Sequence, residues 1–437
     1  MLLKKIRQSS EVFDKLANSY EVWVPESGWL AGRRNRDKND SKRKNLTDWS
    51  ILSFLLEIDN CHYPMADSYL QYGIDGVIRI AAETLETLKN NLQSELQDQT
   101  QLDIAYLESL LHVWKRFRQF VADHMVLALE CAKQETSDTK KKRYEKIAKI
   151  CQNLTINKPN TFCEALQLFW FTYLFRSPFG AGCIGRLDQL LYPFYKHDCE
   201  MGIWDQQEAE KMLEEMFTRM NEINTGDTLR NLMLSGQDAK GNDQTNEITY
   251  LILVAYENTG GSEPHLNVRF HEKTPKKLRD NCINMLSSGS GQPTIYFDEA
   301  VLPAMEKAGI CHEDACQYAN DGCTETVIAG KSAIIFWQYE MVKTVELTLF
   351  GGNENPCVKP VSMKKNSIHG ADFVPKTNLL IGIESKKPQE LTTFSEFLSA
   401  FFEQMDHQLD HYFLMIKQKM QEDQTVSITS PFTAGTF

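Results

Sequence analysis

The spacing of apolar residues divides the chain into two regions of different character. Up to about residue 222, apolar positions recur every three to four residues among Glu, Lys and Gln, a pattern that predicts α-helices. The predicted helices cover residues 74–96, 102–131, 142–154, 162–175, 187–195 and 206–221. The stretch 162–175 is apolar on almost every side, which is typical of a buried core helix. Residues 1–50 show no convincing period, and the Gly-rich residues 176–185 predict a loop.

After residue 222, short β-branched and aromatic runs alternate with helical stretches. The predicted strands are 231–236, 266–271, 294–298 and 426–430, and the predicted helices are 246–257, 276–287, 303–308, 341–350 and 394–417. Alternation of this kind implies parallel strands in a layered or barrel α/β core. The fold class is therefore α/β, with a mainly helical region at 1–222 and a layered or barrel α/β region at 223–437.

The amino-acid composition argues against some classes of binding partner. The net charge of -12 over 437 residues argues against a nucleic-acid-binding surface. No apolar stretch approaches the ~20 residues that span a bilayer, so no membrane partner is expected. Eleven cysteines without a C-x-x-C pair favour a reduced cytoplasmic protein over a disulfide framework or a zinc site. The N-terminus does not resemble a secretion signal.

Candidate chemistry lies in the stretch G-C-T-E at residues 322–325. It combines the thiol of Cys323 with the carboxylate of Glu325, and Gly322 allows a sharp backbone turn beside them. A loop between regular elements can hold such a thiol at a fixed point. The alternative is a buried structural cysteine, with Glu325 serving as a nearby helix cap.

The order of several motifs along the chain gives further information about the G-C-T-E stretch. The chain carries P-N-T-F-C-E-A-L-Q at 159–167, G-R-L-D-Q-L-L-Y-P-F-Y at 185–195, P-H-L-N-V-R-F-H at 264–271, G-S-G-Q-P-T-I-Y-F-D-E at 289–299 and then G-C-T-E. This series resembles the glycyl radical enzymes, the pyruvate formate-lyase-like superfamily. The resemblance implies an α/β barrel made of two half-barrels, of which this chain holds the first half, the cysteine loop and the start of the second.

The resemblance also implies roles for the residues of the G-C-T-E stretch. Cys323 matches the thiyl cysteine, and a thiol S–H bond is weak enough for carbon radicals to form and break it reversibly. Glu325 matches the acid/base glutamate of the dehydratase, C–N lyase, C–S lyase and decarboxylase branches. The neighbours of Cys323 are Gly322 and Thr324 rather than a second cysteine, so pyruvate cleavage is disfavoured.

Two further residues match weaker motifs, and a pair is interpreted as structural. His62 resembles a histidine that faces the substrate pocket, or it is a satisfied core histidine. Ser177 lies in a segment resembling one that contacts polar groups of the substrate, or it caps the following turn. Arg186 and Asp188 are interpreted as a buried ion pair or as paired backbone contacts.

The family's C-terminal R-x-x-G-Y/F motif, which carries the radical glycine, has no match in this sequence. We therefore expect a split subunit, a fragment or a degenerate homologue, with the glycyl radical in a separate chain or in a missing region and installed by a radical SAM activase. The resemblance implies a homodimer when complete. The predicted function is radical elimination from a small polar substrate. The alternatives are an arylacetate-type decarboxylase and a non-catalytic binding protein.

Overall fold

A computed structural model describes residues 2–33, 68–90, 98–176, 182–222, 230–260, 263–321, 325–329, 331–332, 341–353 and 382–422. The chain falls into two compact units, which are Met1–Ala333 with Ile428–Phe437, and Ile334–Ser427. The division predicted at residue 222 separates regions by their secondary structure. The two compact units are defined by contacts between residues instead, so the division at residue 222 stays a prediction.

Helices form the N-terminal part of the first unit. They are α1 (Leu2–Ser19), α2 (Ser68–Asn90), α3 (Asp98–Gln134), α4 (Asp138–Ile156) and α5 (Phe162–Arg176). The long helix α3 packs against α1, α2 and α4. In α5, every side chain that the structure describes is buried except Glu164. The apolar pattern of this segment therefore predicted its position in the core correctly.

A four-stranded parallel sheet follows, with helices between its strands. In chain order the elements are β1 (Gly182–Gly185), α6 (Leu187–Met201), α7 (Gln206–Asn221), β2 (Arg230–Ser235), α8 (Glu247–Thr259), β3 (His265–Phe270), α9 (Lys276–Ser287) and β4 (Thr294–Phe297). The strand order is β1-β2-β3-β4, and each neighbouring pair is parallel. Capping boxes that begin at Asp205 and Asn246 start α7 and α8. The predicted strand–helix alternation is confirmed.

A short antiparallel pair of strands lies near the end of the described part of this unit. It is preceded by α10 (Asp298–Lys307) and α11 (His312–Ala315), and it consists of β5 (Ala319–Asp321) and β6 (Glu325–Val327). These two strands are antiparallel partners. β5 contacts β1 and β2 of the parallel sheet. The segment that precedes the G-C-T-E stretch is therefore held against the sheet.

The structure adds one helix where the sequence showed no convincing period, and it contradicts one prediction. Residues 2–19 form a helix because Ile6, Phe13 and Leu16 share a buried face, although the region shows no convincing period as a whole. Gly182–Gly185 forms a strand within the predicted loop, because pairing with β2 rather than intrinsic β-propensity orders it. The predicted strand at 426–430 lies outside the described residues.

The second unit is described by two helices and a short turn. These are α12 (Met341–Leu349), a 3₁₀ turn (Pro388–Glu390) and α13 (Phe394–Glu422), and both helices were predicted. The buried hydroxyl of Thr344 donates to Gln408 Oε1 at 2.8 Å, which joins α12 to α13. None of the described helices of the chain is both long enough and apolar enough to cross a bilayer.

Candidate functional site

The two faces of the parallel sheet differ in chemistry. On the side of the helices, the strands contribute apolar residues to the large hydrophobic core: Leu232, Leu234, Leu266 and Val268. The alternate positions lie on the other face and are mostly polar: Asn231, Ser235, Asn267, Arg269 and Tyr296, which we call the polar face. Met233, also on this side, is buried and apolar. Parallel sheets are usually apolar on both faces, so this polar face is the candidate site.

A buried ion pair lies at the carboxyl end of the polar face. Arg269 Nε and Nη2 donate to the two carboxylate oxygens of Asp298 at 2.8 and 2.9 Å, and both side chains are 0% exposed. Asp298 also accepts from Tyr318 Oη at 2.9 Å and from Gln237 N at 3.0 Å. Each carboxylate oxygen therefore has two donors, which compensates the burial of its charge.

This ion pair also holds the backbone before β5. Arg269 Nη1 donates to the carbonyl oxygens of Cys316 and Tyr318 at 2.9 and 3.3 Å, and its guanidinium lies 4.0 Å from the centre of the Tyr318 ring. Burial raises the pKa of Tyr318, so its hydroxyl stays a proton donor at neutral pH. The chain therefore enters β5 along a path that β3 sets.

Arg186 and Asp188 make the paired backbone contacts that the sequence suggested. Arg186 Nη2 donates to Ser235 O at 2.9 Å, and Asp188 Oδ2 accepts from Ser235 N at 2.8 Å and from Thr249 Oγ1 at 2.7 Å. Burial lowers the pKa of Arg186 to about 10, and the neighbouring guanidinium adds to this effect. Burial raises the pKa of Asp188, although its hydrogen bonds oppose the shift. Both residues fix the end of β2.

The strands β5 and β6 flank Cys323 in the sequence. Within β5, Asn320 and Asp321 are 1% and 0% exposed. Asp321 is the register partner of Glu325, the half-buried first residue of β6. The thiol of Cys183 on β1 donates to the backbone oxygen of Asn320 at 2.9 Å. The residues on either side of the G-C-T sequence are thus joined to each other and to the sheet.

Three of the four predicted site residues lie outside the described residues: Cys323, His62 and Ser177. Glu325 is described and is the first residue of β6. The roles assigned to these four residues remain predictions.

Sequence reasoning missed the buried amides of the polar face, which are Asn231, Asn267 and Asn320. Part of the signal was present, because polar and apolar residues alternate in H-L-N-V-R-F, and R-N-L-M-L-S has polar residues at both ends. These runs were interpreted only as strands. In the part of the chain that the structure describes, no cluster of three or more His, Cys, Asp or Glu residues could hold a metal ion.

Comparison of the sequence with known proteins finds several enzymes that are similar to this chain. Trans-4-hydroxy-L-proline dehydratase of Clostridioides difficile is 31% identical over 301 residues, which are 65% of this chain and 36% of that protein. Isethionate sulfite-lyase of Oleidesulfovibrio alaskensis is 28% identical over 333 residues, which are 71% of this chain and 37% of that protein. The chain therefore spans little more than a third of the length of these curated relatives.

Solved structures show the same fold. The glycerol-bound B12-independent glycerol dehydratase of Clostridium butyricum matches with a TM-score of 0.73 at 21% identity, over 93% of this chain and 58% of that chain. The predicted α/β barrel class is confirmed by this match. Residues 60–424 also match the family described as pyruvate formate lyase-like. The chain belongs to this pyruvate formate lyase-like family, within the glycyl radical enzymes.

Proposed function

We propose that this chain supplies the thiyl cysteine, Cys323, and the acid/base carboxylate, Glu325, of a glycyl radical lyase or dehydratase acting on a small polar substrate. The observation that carries the proposal is the pairing of β5 with β6. These strands flank Cys323 in the sequence, and β5 lies against β1 and β2. The names of the relatives, among them dehydratases and sulfite-lyases, support elimination as the reaction type.

Each proposed residue has one task. The Cys323 sulfur takes a hydrogen atom, one proton with one electron, from a substrate carbon and becomes a thiol. Glu325 exchanges a proton with the substrate as the neighbouring carbon–heteroatom bond breaks and the leaving group departs. The thiol then returns the hydrogen atom to the product radical. The sum is redox-neutral: a hydroxylated substrate gives a carbonyl or unsaturated product and water.

The described residues fit such chemistry. A stored glycyl radical supplies the unpaired electron, and a sulfur that carries it must be shielded from water and oxygen. The three residues of β5 are each at most 1% exposed, so the strand that leads toward Cys323 is shielded. The proposal includes a cytoplasmic, oxygen-free setting, a radical SAM activase, a polypeptide segment bearing the radical glycine, and a homodimer of the complete enzyme.

The test is an anaerobic assay of the full 437-residue chain with its activase, S-adenosylmethionine and the glycine-bearing polypeptide. The substrates are trans-4-hydroxy-L-proline, glycerol, propane-1,2-diol, isethionate and 4-hydroxyphenylacetate. We expect elimination from one of the aliphatic substrates, and deuterium on the attacked carbon should reappear in the product. Cys323→Ser should abolish turnover, because the serine O–H bond is too strong for the relay. Glu325→Gln should slow turnover at least 100-fold, in line with a lost general acid.

The matched control is Cys311→Ser, which makes the same change at an exposed cysteine and should leave turnover unchanged. Turnover by the Cys323→Ser protein would refute the thiyl assignment. Release of carbon dioxide from 4-hydroxyphenylacetate would favour the decarboxylase alternative, for which a relative at 26% identity exists. Ligand binding without turnover in every arm would favour the non-catalytic alternative.

A further inference from the structure

Three buried asparagine side chains form a connected network on the polar face. Asn267 Nδ2 donates to His265 O at 3.1 Å, to Leu232 O at 3.4 Å and to Asn231 Oδ1 at 3.2 Å. Asn320 Nδ2 donates to the same Asn231 Oδ1 at 3.0 Å. The three amides are only 1 to 2% exposed. The network therefore joins β2 and β3 to β5.

The backbone fixes which end of each amide is oxygen and which is nitrogen. Two carbonyl oxygens face Asn267, so the atom that meets them must be the donor, Nδ2. The Asn231 atom that receives this donor must then be the acceptor, Oδ1. The Asn320 atom that meets Asn231 Oδ1 must in turn be Nδ2. The orientation of the Asn320 side chain therefore follows from the chain of contacts.

One atom of this network remains without a donor. In the part of the chain that the structure describes, nothing donates to Asn320 Oδ1, although the atom is buried. A buried acceptor without a donor destabilises a protein by about 1–3 kcal/mol, so such an atom calls for an explanation. Its position is well defined, because Cys183 holds the Asn320 backbone and Tyr296 Oη accepts from Asn320 Nδ2 at 3.3 Å.

The location of this acceptor suggests its use. Asn320 precedes Cys323 by three residues and lies beside Tyr296, which is half-buried on the edge strand β4. The amide oxygen carries no formal charge, and its described network partners are neutral amides and a phenol. The side chains that share this network are uncharged, so a neutral donor such as a hydroxyl fits the atom.

We propose that Asn320 Oδ1 is a specificity-determining acceptor that binds a hydroxyl group of the substrate. The proposal deepens the proposed function and rests on it for the identity of the ligand as substrate. The substrate class that follows is a small molecule with an uncharged alcohol group close to the reacting carbon.

The test measures binding without turnover, so that it does not depend on the radical. Calorimetry on the full chain compares propane-1,2-diol and glycerol with 1,2-dimethoxypropane, which has similar oxygens but no donor. We expect the alcohols to bind at least 10-fold more tightly than the ether. In Asn320→Leu, which has a similar shape but no acceptor, alcohol binding should weaken about 10-fold while ether binding stays the same, as for one lost hydrogen bond.

Two further variants complete the design. The double variant Asn231→Leu/Asn320→Leu removes both partners of the hydrogen bond that Asn320→Leu alone would leave half-made. It should lose alcohol binding to the same extent as Asn320→Leu, and it provides the test if Asn320→Leu does not fold. Asn258→Leu removes an amide from the exposed face of α8 and should leave every affinity unchanged. An equal affinity for alcohols and ether, or alcohol binding that is unaffected in Asn320→Leu, would overturn the proposal.

The outcomes separate this inference from the proposed function. Alcohol binding that depends on Asn320 in a protein without turnover would support the acceptor and refute the radical reaction. Turnover with the same KM in wild type and Asn320→Leu would support the reaction and refute the acceptor. Alcohol binding that is unchanged in Asn231→Leu/Asn320→Leu would show that no ligand meets this atom.

Discussion

The two faces of the parallel sheet use the same strands but hold their buried groups by different forces. On the helix side, Leu232 and Leu266 are stabilised by non-directional apolar burial within the core. On the polar face, Arg269 and Asn267 are stabilised by hydrogen bonds of fixed direction. Apolar packing tolerates another side chain of similar volume, whereas a directional network loses several contacts when one member changes.

The difference has a consequence for the site. The contacts of the polar face converge on the segment before Cys323, since Arg269 and Arg186 both donate to the carbonyl oxygen of Cys316. Apolar burial on the helix side stabilises the first unit. Burying charges and amides on the polar face has a free-energy cost, which this stabilisation offsets together with the hydrogen bonds. The following predictions test this division through the free energy of unfolding in urea.

The largest effect is expected from removing one member of the buried ion pair. Arg269→Met leaves the charge of Asp298 buried without a counter-ion, and we expect a loss of about 3–5 kcal/mol in the free energy of unfolding. The double variant Arg269→Met/Asp298→Met should recover part of this loss. The matched control is Arg79→Met, which breaks an exposed pair with Glu83 and should cost less than about 1 kcal/mol. Equal losses in Arg269→Met and Arg79→Met would contradict the buried-pair interpretation.

On the helix side, removing apolar volume should give the next largest effect. Leu266 is fully buried, so Leu266→Ala should lower the free energy of unfolding by about 3 kcal/mol through lost burial and a cavity. Its control is Leu286→Ala on α9, where the leucine is 40% exposed. The Leu266→Ala protein should keep the ratio of alcohol to ether binding. A changed ratio would show that the two faces are not independent.

The sequence predicted most of the regular elements because their patterns are local. Helix periodicity gave α7 and α9 at their observed bounds, and the capping residue Asn246 marks the start of α8. The strand β1 has no such signal, because Gly182–Gly185 is ordered by pairing with β2. Helix α1 was not predicted because its apolar residues recur at helical spacing only over residues 2–19. The first fifty residues taken together show no such period.

The candidate site could be predicted only in part. Motif order located the G-C-T-E stretch, and the spacing of Arg186 and Asp188 indicated their structural role. The amide network could not be read from the sequence, because Asn231, Asn267 and Asn320 come from three strands that only the tertiary fold brings together. The acceptor at Asn320 Oδ1 emerges only from the order of hydrogen bonds along that network.

Acidic pH should lower the free energy of unfolding through the protonation of one histidine in the apolar core. His124 is 0% exposed and packs against Phe120 and Phe171 of the apolar core. Burial lowers its pKa from 6.5 to about 4, although a hydrogen bond to the Phe120 carbonyl and the charge of Asp123 oppose the shift. Between these values the unfolded chain binds a proton that the folded chain does not. Stability is therefore complete above pH 6.5 and falls by roughly 3 kcal/mol as the pH decreases to about 4.

The measurement is the free energy of unfolding from pH 7.5 to pH 4 in wild type and in His124→Leu. The leucine variant should lose the part of the pH dependence that begins near pH 6.5, and its curve should stay flatter down to about pH 5. His112→Leu, at a partly exposed histidine on the same helix, should retain the wild-type curve. Parallel curves for wild type and His124→Leu would show that His124 is not the responsible group.

The smallest expected effect compares two glycines with left-handed backbones. Gly236 follows β2 with φ +98°, and a Cβ there would lie 2.4 Å from Arg269 Nε, whereas Gly260 has φ +57° and nothing within 4 Å of its Cβ position. Alanine is strained at both positions by about 1 kcal/mol or more. Gly236→Ala should lose about 1–2 kcal/mol beyond Gly260→Ala, because the ion pair cannot move without losing its hydrogen bonds. In the Arg269→Met background the part of this excess that comes from the guanidinium should disappear. An excess of unchanged size in that background would show that the added methyl group does not clash with the guanidinium.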